Sequence, residues 1–97
     1  MITISATVKG GIAPLPIKVF IDNLDDNQYD QKITKDRSFS ENFDLPSGRY
    51  MIVVSGMNPQ GGTTDISVTG AFTVGPRPDS STTTYKTLYS VLFYGEI

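Results

Sequence analysis

Three residue types are missing from this 97-residue chain: cysteine, histidine and tryptophan. Without cysteine there is no disulfide, no thiolate nucleophile and no sulfur ligand for zinc. Without histidine there is no imidazole base, which excludes Ser-His-Asp triads and the usual zinc sites. An excess of one charge is lacking too. Eight Lys and Arg stand against ten Asp and Glu, for a net charge of −2. The basic residues are scattered from Lys9 to Lys86, so no phosphate-binding face is marked and nucleic acid is not an expected partner. The longest apolar run, Met51 to Val54, falls far short of the ~20 residues of a membrane helix. The first residues show neither the basic start nor the apolar stretch of a signal peptide. The length suits one domain spanning residues 1–97.

What is present is a period of two. Ile2, Ile4, Ala6 and Val8 alternate with Thr3, Ser5, Thr7 and Lys9, the pattern of a half-buried strand. Leu15, Ile17, Val19 and Ile21 form a second apolar row, with Phe20 on the other face, against a neighbour or in a small exposed patch. A turn cluster runs from Asp22 to Asn27. Tyr29 to Thr34 reads as a weaker strand, and Phe39, Phe43 and Leu45 continue the core. Arg49 to Gly56 is apolar on both faces and is expected at the centre of a sheet. Thr63 to Val74 alternates again, with Gly70 read as a bulge, and Gly75 to Ser81 reads as a polar connection. Tyr85 to Tyr94 is the last strand. The one helical candidate, Leu24 to Ile33, is too rich in Asp and Asn and is read as a loop or one short turn. Seven strands with regular turn signals predict an all-β, antiparallel Greek-key sandwich, transthyretin-like or immunoglobulin-like.

The residues Pro14-Leu15-Pro16, Thr34-Lys35-Asp36-Arg37-Ser38-Phe39 and Leu45-Pro46-Ser47-Gly48-Arg49-Tyr50, followed by Ile52-Val53-Val54-Ser55, carry a resemblance. Over about residues 11–56 the chain resembles the carboxypeptidase regulatory-like domains, which are transthyretin-like seven-stranded sandwiches. The Leu-Pro-x-Gly-x-Tyr turn is the most specific piece. Ile17 stands where that family usually has Gly, its Asp-Gly turn is Asp36-Arg37 here, and residues 57–97 match nothing specific. The resemblance implies a non-catalytic module of an exported or surface-attached bacterial protein, hence an extracytoplasmic or cell-surface location. The same fold includes an enzyme of purine catabolism that relies on His, Arg and a C-terminal Tyr-Arg-Gly-Ser motif. This chain has no His and ends Phe93-Tyr94-Gly95-Glu96-Ile97, which excludes that activity.

Four further constellations bear on function. Asp22, Asp25, Asp26 and Asp30 form the one dense set of carboxylates, a weak calcium candidate against the plain reading of a solvated turn. Leu24 at the third position and the lack of a closing Glu break EF-hand spacing. Glu41 and Glu96 make no obvious acid–base pair, and no Ser-x-x-Lys occurs, so no enzyme and no cofactor are expected. Tyr85, Tyr89 and Phe93 share one side of the last strand and would form either a sugar platform or core packing. Leu88, Leu92 and Tyr94 share the other side. If that strand is an edge, they are an interface candidate for strand addition by a protein partner or a second copy; if it is central, they are buried. The sequence therefore reads as a structural or binding module that makes protein contacts. Carbohydrate binding or calcium-dependent adhesion is the alternative.

Overall fold

In a computed structural model describing residues 1–97, nine strands form two antiparallel sheets. They are β1 (Ile2–Lys9), β2 (Ile17–Asn23), β3 (Gln31–Lys35), β4 (Phe39–Phe43), β5 (Arg49–Met57), β6 (Thr63–Gly70), β7 (Val74–Arg77), β8 (Ser81–Thr84) and β9 (Leu88–Glu96). The smaller sheet has the order β4-β1-β6-β8 and the larger β3-β2-β5-β9-β7. No helix is long and apolar enough to cross a membrane. The period-two rows account for the core between the sheets. Ile2, Ile4, Ala6, Ile66 and Val68 point in from the smaller sheet; Ile17, Val19, Ile21, Tyr50, Ile52, Val54 and Phe93 point in from the larger. Strand β5 lies mid-sheet between β2 and β9, as its two apolar faces predicted.

The strand count departs from the expected seven for a local reason. The row from Thr63 onward does not run on to Val74; it stops at Gly70, which adopts φ +132°. A side chain there would meet the Met1 carbonyl oxygen at 2.6 Å and Ile2 Cα at 2.7 Å. The chain then changes sheet, and Phe72 packs over Gly95, where a Cβ would lie 2.6 Å from the ring. The stretch read as a polar connection instead holds most of β7 and the start of β8. The last strand begins at Leu88 and not Tyr85, and Leu15 lies outside β2 and is exposed. Within Leu24–Ile33 the chain makes a single 3-10 turn at Asn27–Tyr29, capped by the Asp26 side chain on Gln28 N, and from Gln31 it is already β3.

Two polar anchors fix the chain at opposite ends of β5. At its start the Tyr50 hydroxyl donates to the Pro46 carbonyl at 2.7 Å. This is the arrangement of a tyrosine corner, in which a buried Tyr bonds back to main chain just upstream. Burial pushes the Tyr50 pKa up. Just past the end of β5 lies Asn58, which is buried. Its Nδ2 donates to the Lys86 carbonyl (2.7 Å), the Thr84 carbonyl (3.1 Å) and Thr84 Oγ1 (3.2 Å). Its Oδ1 accepts from Thr64 Oγ1, and its N–H donates to the Thr87 carbonyl at 2.8 Å. Asn58 thus holds the crossing by which the chain leaves β8 in one sheet and enters β9 in the other.

Replacing Asn58 by Ala leaves several buried polar groups without partners. Asn58→Ala should lower stability by about 2–3 kcal/mol in urea unfolding. At ~4–8 °C per kcal/mol for a domain of this size, the melting temperature should fall by roughly 10–20 °C.

Candidate functional site

The acidic loop is organised by its own hydrogen bonds. Asn23 Oδ1 accepts from the Asp25 and Asp26 amides, both at 2.8 Å, and Asp30 Oδ1 accepts from Asn23 N at 2.8 Å. The Asp25 carboxylate takes Arg49 three ways: N at 3.0 Å, Nε at 3.0 Å and Nη2 at 2.7 Å. Asp26 caps the 3-10 turn, and Asp22 lies exposed on β2. Asp25, Asp26 and Asp30 of the calcium candidate therefore point to separate internal partners, and no group of three or more acidic side chains converges on one point. The loop is a turn, cross-linked to the start of β5.

Hydrogen bonds from the Arg49 side chain hold the Asp25 carboxyl below its ordinary value. Asp36 and Asp65 are lowered in the same way by Arg37 and Lys9. A carboxylate with a depressed folded pKa contributes stability above its unfolded value, near 3.8 here, and loses it as pH falls through the folded value. The melting temperature should therefore drop as pH falls below about 4. Asp25→Asn should melt earlier at pH 6 and show a flatter acid dependence, measured by circular dichroism.

The two outer faces differ in kind. On the smaller sheet, polar side chains pair with one another: Thr3 with Asn42 (2.7 Å), Ser5 with Ser67 (2.5 Å), and Asp65 with both Lys9 (2.8 Å) and Thr83 (2.7 Å). The larger sheet carries an apolar row across its strands. Phe20 on β2 pairs with Val53 on β5, and Val53 with Leu92 on β9. Beside it, Met51 pairs with Tyr94 and Met57 with Leu88. Leu88 is 65% exposed and Leu92 47%, while Phe20, Met51, Val53 and Tyr94 are half-buried by their neighbours. Lys32 Nζ lies 5.3 Å from the centre of the Phe20 ring. Of the expected interface set, Leu88 and Leu92 are open to solvent and Tyr94 is partly covered.

The last strand is neither wholly an edge nor wholly central. Strand β5 pairs with it along its whole length, from Leu88 to Glu96. On the other side β7 pairs only with its last part, at Tyr94 and Glu96. The Thr73 amide donates to the Glu96 carbonyl, so the main-chain groups of Glu96 face the β7 side. Antiparallel alternation then turns the N–H and C=O of Leu92, Ser90 and Leu88 to that same side, where no strand lies. A shallow cleft of about 440 Å³ runs there, bordered by Thr84, Tyr85, Lys86, Leu88, Ser90 and Val91.

The proposed aromatic platform does not assemble. Tyr89 and Phe93 are buried in the core, and Tyr85 precedes the strand and is exposed. The Tyr89 ring lies over Gly56, where a Cβ would meet its hydroxyl oxygen at 2.5 Å. That hydroxyl is buried without a hydrogen-bond partner, and burial raises its pKa. Removing an unpaired buried hydroxyl relieves its desolvation cost. Tyr89→Phe should thus be neutral or stabilising by up to about 1 kcal/mol in urea unfolding.

The outer apolar row was only partly visible in the sequence. Phe20, Met51 and Val53 stood on the correct faces, but the cross-strand register that joins them to Leu92 comes from strand order. Comparison with protein-family models, with curated proteins and with solved structures gives no match to this chain.

Proposed function

We propose that this domain is a non-catalytic structural or binding module whose work is protein–protein contact, made through the outer face of the larger sheet. One observation carries the reading: the outward apolar row Phe20–Val53–Leu92, half-buried at Phe20 and Val53 and open at Leu92, with exposed Leu88 beside it and a length of unpaired strand next to it. Exposed apolar surface of this kind marks interaction sites. The missing His and Cys, and the engagement of Asp25, Asp26 and Asp30 in holding a turn, support contact over chemistry. The resemblance over residues 11–56 extends the proposal to a transthyretin-like, Greek-key sandwich in an exported or surface-associated bacterial protein.

A photo-reactive residue tests the contact directly. Placed at Leu92 in the cells that make this protein, it should give a covalent protein adduct of discrete mass. Placed at Thr7, on the polar outer face of the smaller sheet, it should not. Equal yields at the two positions would overturn the reading.

A further inference from the structure

Strand edges with free main-chain groups recruit other strands, and proteins blunt them with charge, proline, bulges or shortness. Each outermost strand of this sandwich carries such a device. Strand β3 has Lys32 and Lys35, and β4 has Glu41. Strand β7 has Pro76 and a shift of register, and β8 is only four residues long. The free part of β9, Leu88 to Leu92, is short as well but lacks the other devices: it contains no charged residue, no proline and no irregularity. The geometry points to a second copy of this chain as the occupant of that edge, paired antiparallel through β9 about a two-fold axis at Ser90. This rests on the reading of the domain as a contact module.

The register follows from what is free. Centred on Ser90, the pairing sets Leu88 against the second copy's Leu92, Ser90 against its Ser90, and Leu92 against its Leu88. All of these residues turn their N–H and C=O to the open side, so each opposed pair exchanges main-chain hydrogen bonds. Moving the axis to Val91 would oppose Leu88 to Tyr94, where β7 already pairs. Moving it to Tyr89 would oppose Leu92 to Lys86, whose carbonyl is already taken by Asn58. Before Leu88 the chain leaves the line of β9: the Lys86 carbonyl accepts from Asn58 Nδ2, and Thr84, Tyr85 and Lys86 border the cleft beside Leu88 and Ser90.

Side chains match in the same register. The outer row Phe20–Val53–Leu92 continues into the second copy's Leu88 and Met57, so apolar meets apolar. The row Lys18–Ser55–Ser90 meets its own copy at Ser90, so small polar residues meet at the axis and the two Lys18 stand far apart. Leu–Leu pairs opposed across an antiparallel joint are favourable, and like charges opposed there are not. So short a joint lies below the roughly 1,000 Å² of a durable interface, which makes the pair a reversible one.

Sedimentation equilibrium should show the wild-type chain passing from monomer to dimer between roughly 10 µM and 1 mM, the range of a small interface. Ser90 is exposed, so charge placed there tests the axis without disturbing the core. Ser90→Lys and Ser90→Glu should each stay monomeric over that range, because like charges then face each other. An equimolar mixture of the two should recover the dimer. In wild type, amide exchange at Leu88, Ser90 and Leu92 should slow with concentration, while exchange along β3 should not. A wild-type chain that stays monomeric at 1 mM overturns the second copy as occupant, as does Ser90→Lys dimerising like wild type. Either result leaves the contact reading to the Leu92 crosslink, where an adduct to a different protein would sustain it.

Discussion

The buried side chain of Asn58 decides where the last two strands go. Its amide reaches Thr84 and Lys86, its carbonyl takes Thr64, and its own N–H extends the β5–β9 ladder to Thr87. Buried groups of this kind must be paired, so the chain is compelled to cross between sheets at one place. Because it crosses there, β8 pairs with β6 in the smaller sheet and does not run beside β9. The open side of β9 is therefore a product of a polar anchor in the interior. Altering the surface alone would not close it.

The same division of labour explains the contrast between the outer faces. The smaller sheet satisfies its outward side chains internally, with Ser5 on Ser67, Thr3 on Asn42 and Asp65 between Lys9 and Thr83. The larger sheet has no side-chain hydrogen bond across Phe20, Val53 and Leu92, and the one polar group there is the Lys32 ammonium over the Phe20 ring. Its polar links gather at the end near Asp25, Arg49 and the tyrosine corner, which holds the first turn of β5 and leaves the sheet face bare.

Much of the fold was legible in the sequence because period two is a local signal. Ile2, Ile4 and Ala6, then Ile17, Val19 and Ile21, then Tyr50, Ile52 and Val54 all stand in the core as their alternation required. The errors fall where tertiary contact overrides the local pattern. Thr63 to Val74 alternates without a break, yet the close approach of Met1 and Ile2 to Gly70 ends the strand there. Strands β7 and β8 are short and poor in apolar residues, β7 carries Pro76, and only their partners β9 and β6 make them strands. The Leu88, Leu92 and Tyr94 side of the last strand was identified, but whether it was edge or centre depended on how far β7 reaches. It reaches Tyr94 and no further, so the strand is flanked on both sides at Tyr94, which is half-buried, and on one side only at Leu88 and Leu92. In the acidic loop the sequence shows the ligand types but not their partners, and Asp30, Asp26 and Asp25 are oriented toward Asn23, Gln28 and Arg49.

The devices on β3, β4, β7 and β8 carry a consequence for assembly size. A two-fold joint uses up the one unguarded length of edge on each participant. What such a pair then presents to a third molecule is lysine, glutamate, proline and a very short strand. Growth by edge addition has no further step to take. Head-to-tail stacking would need a second open edge, which the chain does not provide. The arrangement makes association self-terminating, which separates a reversible pair from the seed of a fibre.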